Sequence, residues 1–182
     1  MRILRICVIA GLLTVHLFPL HPVDPETLSL LARNGAELER RPAPPLNVLT
    51  TTGESTNLDA FPRRLTYVNY WAQWCQPCLE EMPTLDRFAG LFGDRINVLA
   101  VASNDAPADV FQYIEQTFPS GIHFEVLLDV DGEVGYSYGN TGVPETYLIS
   151  PNGDLIASWI GPRDFMAESQ IELAQHLLAQ WD

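Results

Sequence analysis

One change of period constrains this chain more than any other feature. Leu65–Tyr70 is rich in β-branched and aromatic residues, as a central strand is, whereas from Pro77 onward Leu79, Met82, Leu85, Phe88, Ala89 and Phe92 recur at helical spacing. At the junction stand Cys75 and Cys78, so a cysteine pair is expected on the first turn of a helix that leaves directly from a strand. The rest of the chain is read outward from that junction. Ile96–Ala102 is a nearly continuous apolar run, the mark of a strand covered on both faces. Pro107–Phe118 reads as a second helix, Phe124–Leu128 as a strand and Val134–Tyr138 as a helical turn. Thr146–Ile149 and Leu155–Ile160 flank a Pro151-Asn152-Gly153 turn, a hairpin signal, and Phe165–Trp181 closes the chain as an amphipathic helix. Strands alternating with helices, then a hairpin, then a helix describe an α/β fold with a mixed central sheet.

Two segments precede this pattern. Pro25–Arg40 is expected to be helical, with leucines at 28, 31 and 38 and Ala32, and to end at Pro42, Pro44 and Pro45. Leu46–Leu49 is a short strand candidate, followed by polar turn material through Asn57. Before them, residues 1–22 open on Arg2 and Arg5 and continue as an apolar run from Ile6 to Leu20, the pattern of a secretory signal. No clear Ala-x-Ala site follows, so the leader is read as either cleaved or retained as an amino-terminal anchor. The organisation expected is therefore a leader over 1–22, a helical linker over 23–43 and one domain over 44–182.

Charge and cysteine count narrow the function classes. The ten basic residues are all arginine; beyond residue 22 eight remain against 23 acidic side chains, a net of −15. Such a surface repels phosphate backbones, which argues against nucleic-acid binding. Of three cysteines, Cys7 lies in the leader and is read as an apolar leader residue, leaving Cys75 and Cys78 as the thiols of the domain. A pair three apart closes so small a loop that it restricts little chain entropy, which makes a stapling role a poor explanation. A zinc site needs about four ligands. Outside the leader the chain adds only His123 and His176, both read as surface or helix-edge residues, so no metal is expected.

The chemistry of a redox pair fits instead. At a helix start, free backbone N–H groups and the positive end of the helix dipole favour a thiolate on Cys75. Cys78, one turn further in, is placed to attack a mixed disulfide and release the partner. Pro77 suits the first turn because no N–H partner is needed there. Trp74 and Gln76 border the pair, Trp74 offering an apolar docking surface, while Trp71 reads as core. Asp129–Glu133 lacks the spacing of a calcium loop and reads as an acidic turn before a helix.

The block from Val68 to Pro83, with Trp74-Cys75-Gln76-Pro77-Cys78 at its centre, resembles the thioredoxin superfamily, and more specifically the exported TlpA/ResA/CcmG (DsbE)-like thiol–disulfide oxidoreductases. The similarity runs from about Pro44 to the carboxyl end. It implies a thioredoxin-like fold with helices on both faces of the sheet. It implies a redox disulfide between Cys75 and Cys78, with Trp74, Gln76, Pro77, Val143 and Pro144 at the substrate face and no cofactor. Gly142-Val143-Pro144-Glu145-Thr146 matches the family's cis-proline loop, which would put Pro144 opposite the cysteines and let Val143 pair with a substrate backbone. Thioredoxin keeps a buried aspartate where this chain has Asn69; the related branch draws its acid from the helix, and Glu81 is the corresponding position. A buried carboxylate there would have a raised pKa and accept the proton of Cys78. The brief polar segment Thr50–Asn57 departs from the family's longer one.

The resemblance implies an extracytoplasmic or periplasmic monomer, tethered or free, that reduces disulfides in apocytochrome c or a copper-site protein. Its electrons would come from a membrane donor such as a DsbD/CcdA-like reductase. Two other readings use the same dithiol: a thiol oxidant or disulfide isomerase, and a Cu(I)-binding chaperone module.

Overall fold

The computed structural model describes residues 23–181 in side-chain detail; within residues 1–22, read as a signal or anchor, it describes an antiparallel strand pair, Ile3–Ile9 with Leu12–Phe18. In chain order the elements are α1 (Pro25–Arg33), β1 (Glu37–Pro42), β2 (Val48–Thr50), β3 (Ser55–Thr56), β4 (Leu65–Trp71), α2 (Gln76–Phe92) and β5 (Ile96–Ser103). They continue with α3 (Pro107–Thr117), β6 (Glu125–Asp129), α4 (Glu133–Tyr138), β7 (Glu145–Ile149), β8 (Asp154–Ile160) and α5 (Glu168–Trp181). These eight strands, separate from the pair within residues 1–22, form one sheet in the order β1-β8-β7-β4-β5-β6-β2-β3. β4, β5 and β6 run parallel, joined by α2 and α3, and the other pairings are antiparallel. This is the α/β thioredoxin-like fold with a mixed sheet.

The amino-terminal helix is shorter than its leucine spacing predicts. Asp24 caps α1 by accepting from the N–H groups of Glu26 and Thr27 at 2.9 and 3.0 Å. At the other end the Asn34 side chain donates to the Leu30 carbonyl at 2.8 Å, and Gly35 adopts a left-handed φ of 65°. That conformation ends a helix and suits glycine. The chain then straightens into β1, which pairs with β8, so residues 37–42 form an edge strand rather than two more helical turns. Leu38, counted in the helical stripe, is 46% exposed.

Two cores lie on opposite sides of the sheet. Tyr67 and Trp71 of β4 point into the larger one, with Leu85 and Phe88 of α2, Val110 of α3 and Leu173 and Leu177 of α5. Val68 and Tyr70 point into the smaller one, which Tyr138 of α4 and Leu46 of the β1–β2 connection close. β4 is buried along its whole length, which makes its carboxyl end a fixed platform for the loop and helix that follow. One irregularity in α2 is compensated locally. Pro83 supplies no N–H to the Leu79 carbonyl one turn earlier. The Tyr113 hydroxyl of α3 donates to that carbonyl instead, at 3.3 Å.

Candidate active site

The cysteines sit where the strand-to-helix junction puts them. Cys75 is the N-cap of α2, its N–H donating to Ala72 O at 3.1 Å and its Sγ accepting from the N–H of Cys78 at 3.3 Å. Cys75 and Cys78 are joined as a disulfide of 2.05 Å. Cys75 is 5% exposed and Cys78 fully buried, so an approaching partner meets Cys75 first. An N–H aimed at the Cys75 sulfur and the helix terminus behind it both favour negative charge there in the reduced state. Gln76 and Pro77 are exposed beside the pair, and Gln76 donates to Glu80 at 3.0 Å across one helical turn. Trp74 stands 67% exposed on the approach, whereas Trp71 is fully buried.

Beneath the disulfide lies a buried polar group. Glu81 is one turn after Cys78 on α2, faces the sheet and is 3% exposed. Its Oε1 accepts from Asn69 Nδ2 at 2.8 Å and its Oε2 from the backbone N–H of Arg163 at 3.0 Å. Asn69, in turn, reaches Thr146 Oγ1 at 3.1 Å. Burial pushes the Glu81 carboxyl up to about 6; the bonds from Asn69 and Arg163 and the Arg163 charge hold it from rising further. A carboxyl in that range is mostly ionised at neutral pH yet basic enough to take a proton. The connection between β8 and α5 is laced to α2 at a second point, where Phe165 N donates to Thr84 Oγ1 at 3.2 Å.

The third wall is the loop before β7. The Val143–Pro144 peptide is cis, and the Val143 carbonyl oxygen lies 3.6 Å from Cys75 Sγ. Pro144 is buried, its carbonyl accepting from Gly161 N at 2.9 Å. Glu145 clamps the loop: its Oε1 accepts from Thr141 N and Oγ1 at 3.0 and 2.6 Å, and its Oε2 from the Tyr147 hydroxyl at 2.6 Å. An open cleft lined by Trp74, Asn104, Tyr136, Asn140 and Val143 runs away from the pair between this loop and the β5–α3 connection. Asp105 fixes the strand-to-helix turn itself by accepting from Gln73 N at 2.6 Å.

The structure thus brings Cys75, Cys78, Glu81, Trp74, Gln76, Pro77, Val143 and Pro144 to one end of the sheet. Sequence reasoning passed over three residues that hold this arrangement: Arg163, Glu145 and Asp105. Glu145 could have been suspected from its place next to Pro144. Arg163 and Asp105 carry no local signal, because each lies in a connection far in sequence from the group it holds. His123 lies with Asp86 at 3.2 Å, and His176 with Asp24 and Glu26 at 3.6 and 3.8 Å. Neither pairing involves a cysteine. Asp129 ends β6 and accepts from Gly135 N at 2.9 Å, making the Asp129–Glu133 segment the turn that starts α4.

Comparison with known proteins agrees with this geometry. The AhpC/TSA family profile matches residues 40–158. The chain is 28% identical over 159 residues to the thiol:disulfide interchange protein HelX of Rhodobacter capsulatus, covering 87% of this chain and 85% of HelX. It is 26% identical over 137 residues to the thiol-disulfide oxidoreductase ResA of Bacillus subtilis, covering 75% and 73%. Among solved structures, a thiol:disulfide interchange protein DsbE from Chlorobium tepidum superposes with a TM-score of 0.69 at 24% identity, covering 78% of this chain and 99% of that one. The chain belongs to the AhpC/TSA family within the thioredoxin-fold superfamily, as a relative of the ResA/CcmG/DsbE-like enzymes, and its Cys75–Cys78 pair makes it a thiol–disulfide oxidoreductase.

Proposed function

We propose that this protein is an extracytoplasmic reductant of protein disulfides, with Cys75 as nucleophile, Cys78 as resolving thiol and Glu81 as proton acceptor. The observation that carries the reading is the buried Glu81 carboxyl one turn behind Cys78, bonded by two N–H donors and raised by burial, against them, to about 6. In the reduced protein the Cys75 thiolate attacks a client disulfide; a Cys75–client bond forms and one client sulfur leaves as thiolate. Cys78 then gives its proton to Glu81 and attacks Cys75 Sγ. The Cys75–Cys78 disulfide forms, the client's second sulfur is freed, and two electrons have passed to the client. A dithiol donor in the membrane, of the DsbD/CcdA kind, returns them. The cis-proline loop supports the substrate side: Val143 presents backbone beside Cys75, where an extended client segment can add to it, and Trp74 offers an apolar surface.

Residues 1–22 carry the chain out of the cytoplasm in this reading, as a cleaved signal or a tether, and the domain acts as a monomer. The relatives are named for thiol–disulfide exchange, which supports a protein disulfide as substrate; clients of the apocytochrome c or copper-site class belong to this proposal. Expression of a Cys78→Ala variant in the native host tests the reading. The variant is expected to accumulate a mixed disulfide with its client through Cys75. Capture of an apocytochrome c or a copper-site protein supports the assignment, and capture of no thiol protein refutes it.

A further inference from the structure

The cleft that leaves the cysteine pair has two exposed aromatic walls. Trp74, next to Cys75, is 67% exposed and Tyr136, on α4, is 73% exposed; no other aromatic ring among the described residues stands so open. Two such rings beside one cleft mark a binding surface. Its floor is fixed where two connections meet. Asn104 N–H donates to Asp129 O at 3.1 Å, and Gly132, at a left-handed φ of 73°, lies against the Asn104 amide, which a Cβ there would meet. The cleft measures about 190 Å³, below the range of cofactor-sized pockets, which suits it to a single side chain. The charge around it is of one sign. Asp131 and Glu133 stand exposed on either side of Gly132, Asp109 is exposed in the first turn of α3, and Glu80 is exposed on α2. Among the described residues no arginine lines the cleft. Arg63, Arg64 and Arg95 precede β4 and β5, at the end of the sheet away from the cysteines, and Arg40 is on the edge strand β1. Arg33 pairs with Glu172, Arg163 stacks on Trp159, and Arg87 lies far along α2. Arg41 reaches α4, its Nη2 donating to the Tyr138 carbonyl at 2.7 Å, but Glu39 answers its charge at 3.1 Å.

We propose that this cleft takes a lysine or arginine side chain of the client, two residues from the cysteine that Cys75 attacks. This rests on the reading of the protein as a reductant of protein disulfides. Val143 joins the two places: its carbonyl lies 3.6 Å from Cys75 Sγ, and it also lines the cleft. An extended client paired with Val143 advances about 3.3 Å per residue, and every second side chain points the same way. A residue two places from the client cysteine therefore turns to the same face as the reacting sulfur and meets the cleft. There the faces of Trp74 and Tyr136 attract a cation. Asp131 and Glu133 add a field that draws the same charge in. An aliphatic side chain gains from the rings and not from the carboxylates, and an acidic one is repelled.

The test uses the full chain carrying Cys78→Ala, which isolates one step, and synthetic peptides whose single cysteine is activated as a pyridyl disulfide. The Cys75 thiolate attacks the peptide sulfur, a Cys75–peptide disulfide forms, and the thiopyridine sulfur leaves and takes a proton; absorbance follows its release. Lysine, arginine, norleucine, phenylalanine or glutamate stands two residues before or after the cysteine. Each rate is divided by that for dithiothreitol, which removes the peptide's own reactivity. At low salt the lysine and arginine peptides are expected to react about five- to tenfold faster than the norleucine peptide at one of the two positions, with glutamate slower still. Tyr136→Leu and the pair Asp131→Asn with Glu133→Gln should each cut that ratio roughly twofold or more, and the second should also flatten its salt dependence. These side chains are exposed, so the replacements spare the core. Tyr136→Phe keeps a ring and should keep the ratio. A norleucine or phenylalanine peptide as fast as the lysine one overturns the proposal and makes the cleft an apolar pocket. A lysine preference untouched by both sets of replacements also overturns it, because the preference then arises elsewhere. Equal rates for every peptide overturn the specificity and leave the reductant reading standing. Failure of Cys75 to react with peptides that dithiothreitol cleaves refutes both.

Discussion

Asn69 and Tyr70 are neighbours on β4, fully buried, and they open onto two differently built faces. On the Tyr70 side, the rings of Tyr70, Tyr138 and Tyr147 pack pairwise with centroids 6.0, 5.8 and 5.1 Å apart. Burial pushes all three hydroxyls far above the usual phenol range, so these phenols stay neutral in the physiological window. On the Asn69 side, burial also raises Glu81, but two donors and one arginine oppose it and leave the carboxyl near 6. Desolvation acts on both faces. What separates the three phenols from Glu81 is how far the charged form is compensated: against burial Tyr138 and Tyr147 have the Arg41 charge, whereas Glu81 has two N–H donors as well as an arginine.

The largest effect that would sharpen this contrast is on the aromatic face. Tyr138→Ala removes a fully buried ring and is expected to cost about 3–5 kcal/mol of stability by denaturant unfolding, with no change in the pH profile of thiol exchange. A shifted profile would break the separation of the two faces.

Next comes Glu81→Gln. The folded pKa of Glu81, about 6, lies above the ordinary 4.5, so the folded state binds this proton more tightly than the unfolded one. Stability from this group is fully present below about pH 4.5 and falls as pH rises through 6, by about 2 kcal/mol in all. The glutamine variant keeps its neutral form at every pH. Once the Asn69 amide flips to turn its oxygen toward residue 81, the glutamine amide can donate to it, while the glutamine oxygen accepts from Arg163 N–H. The variant is therefore expected to be more stable than wild type at pH 7–8 by up to about 2 kcal/mol, an advantage that vanishes below pH 4.5. Thermal unfolding at several pH values checks this, and equal pH dependence in both proteins would contradict it.

Smaller effects test the link between the aromatic face and the substrate loop. Tyr147→Phe removes the donor to Glu145 Oε2 and should cost about 1–2 kcal/mol. Because Glu145 also holds Thr141, the loss should raise KM for a protein disulfide more than it lowers kcat, as steady-state reductase assays would show. Smallest in stability is Trp74→Ala, expected within about 0.5 kcal/mol of wild type because the ring is exposed. Its effect belongs to docking: the yield of client trapped by Cys78→Ala should fall when Trp74→Ala is added.

Much of the molecule was legible before its structure. The change of period at residues 71–77 placed Cys75 and Cys78 on a helix start, and the apolar run at 96–102 marked a central strand, because both signals are local. The resemblance pointed to Glu81 and to a cis bond at Pro144. The failures have two causes. Helical spacing carried α1 through to Arg40, but Asn34 and Gly35 stop it and an exposed edge of β8 captures residues 37–42. β3 is two residues long and pairs with β2, too little for any periodicity to register.

The sequence by itself determined the reactive pair, its placement at a helix terminus and the alternation that builds the sheet, since each depends on residues within one or two turns of each other. The tertiary structure alone decided how acidic Glu81 is and what holds the substrate loop. Arg163 lies 82 residues from Glu81, and Thr146 lies 77 from Asn69. The acidity of a buried group is set by the charges and donors that folding brings around it, and no local pattern records them.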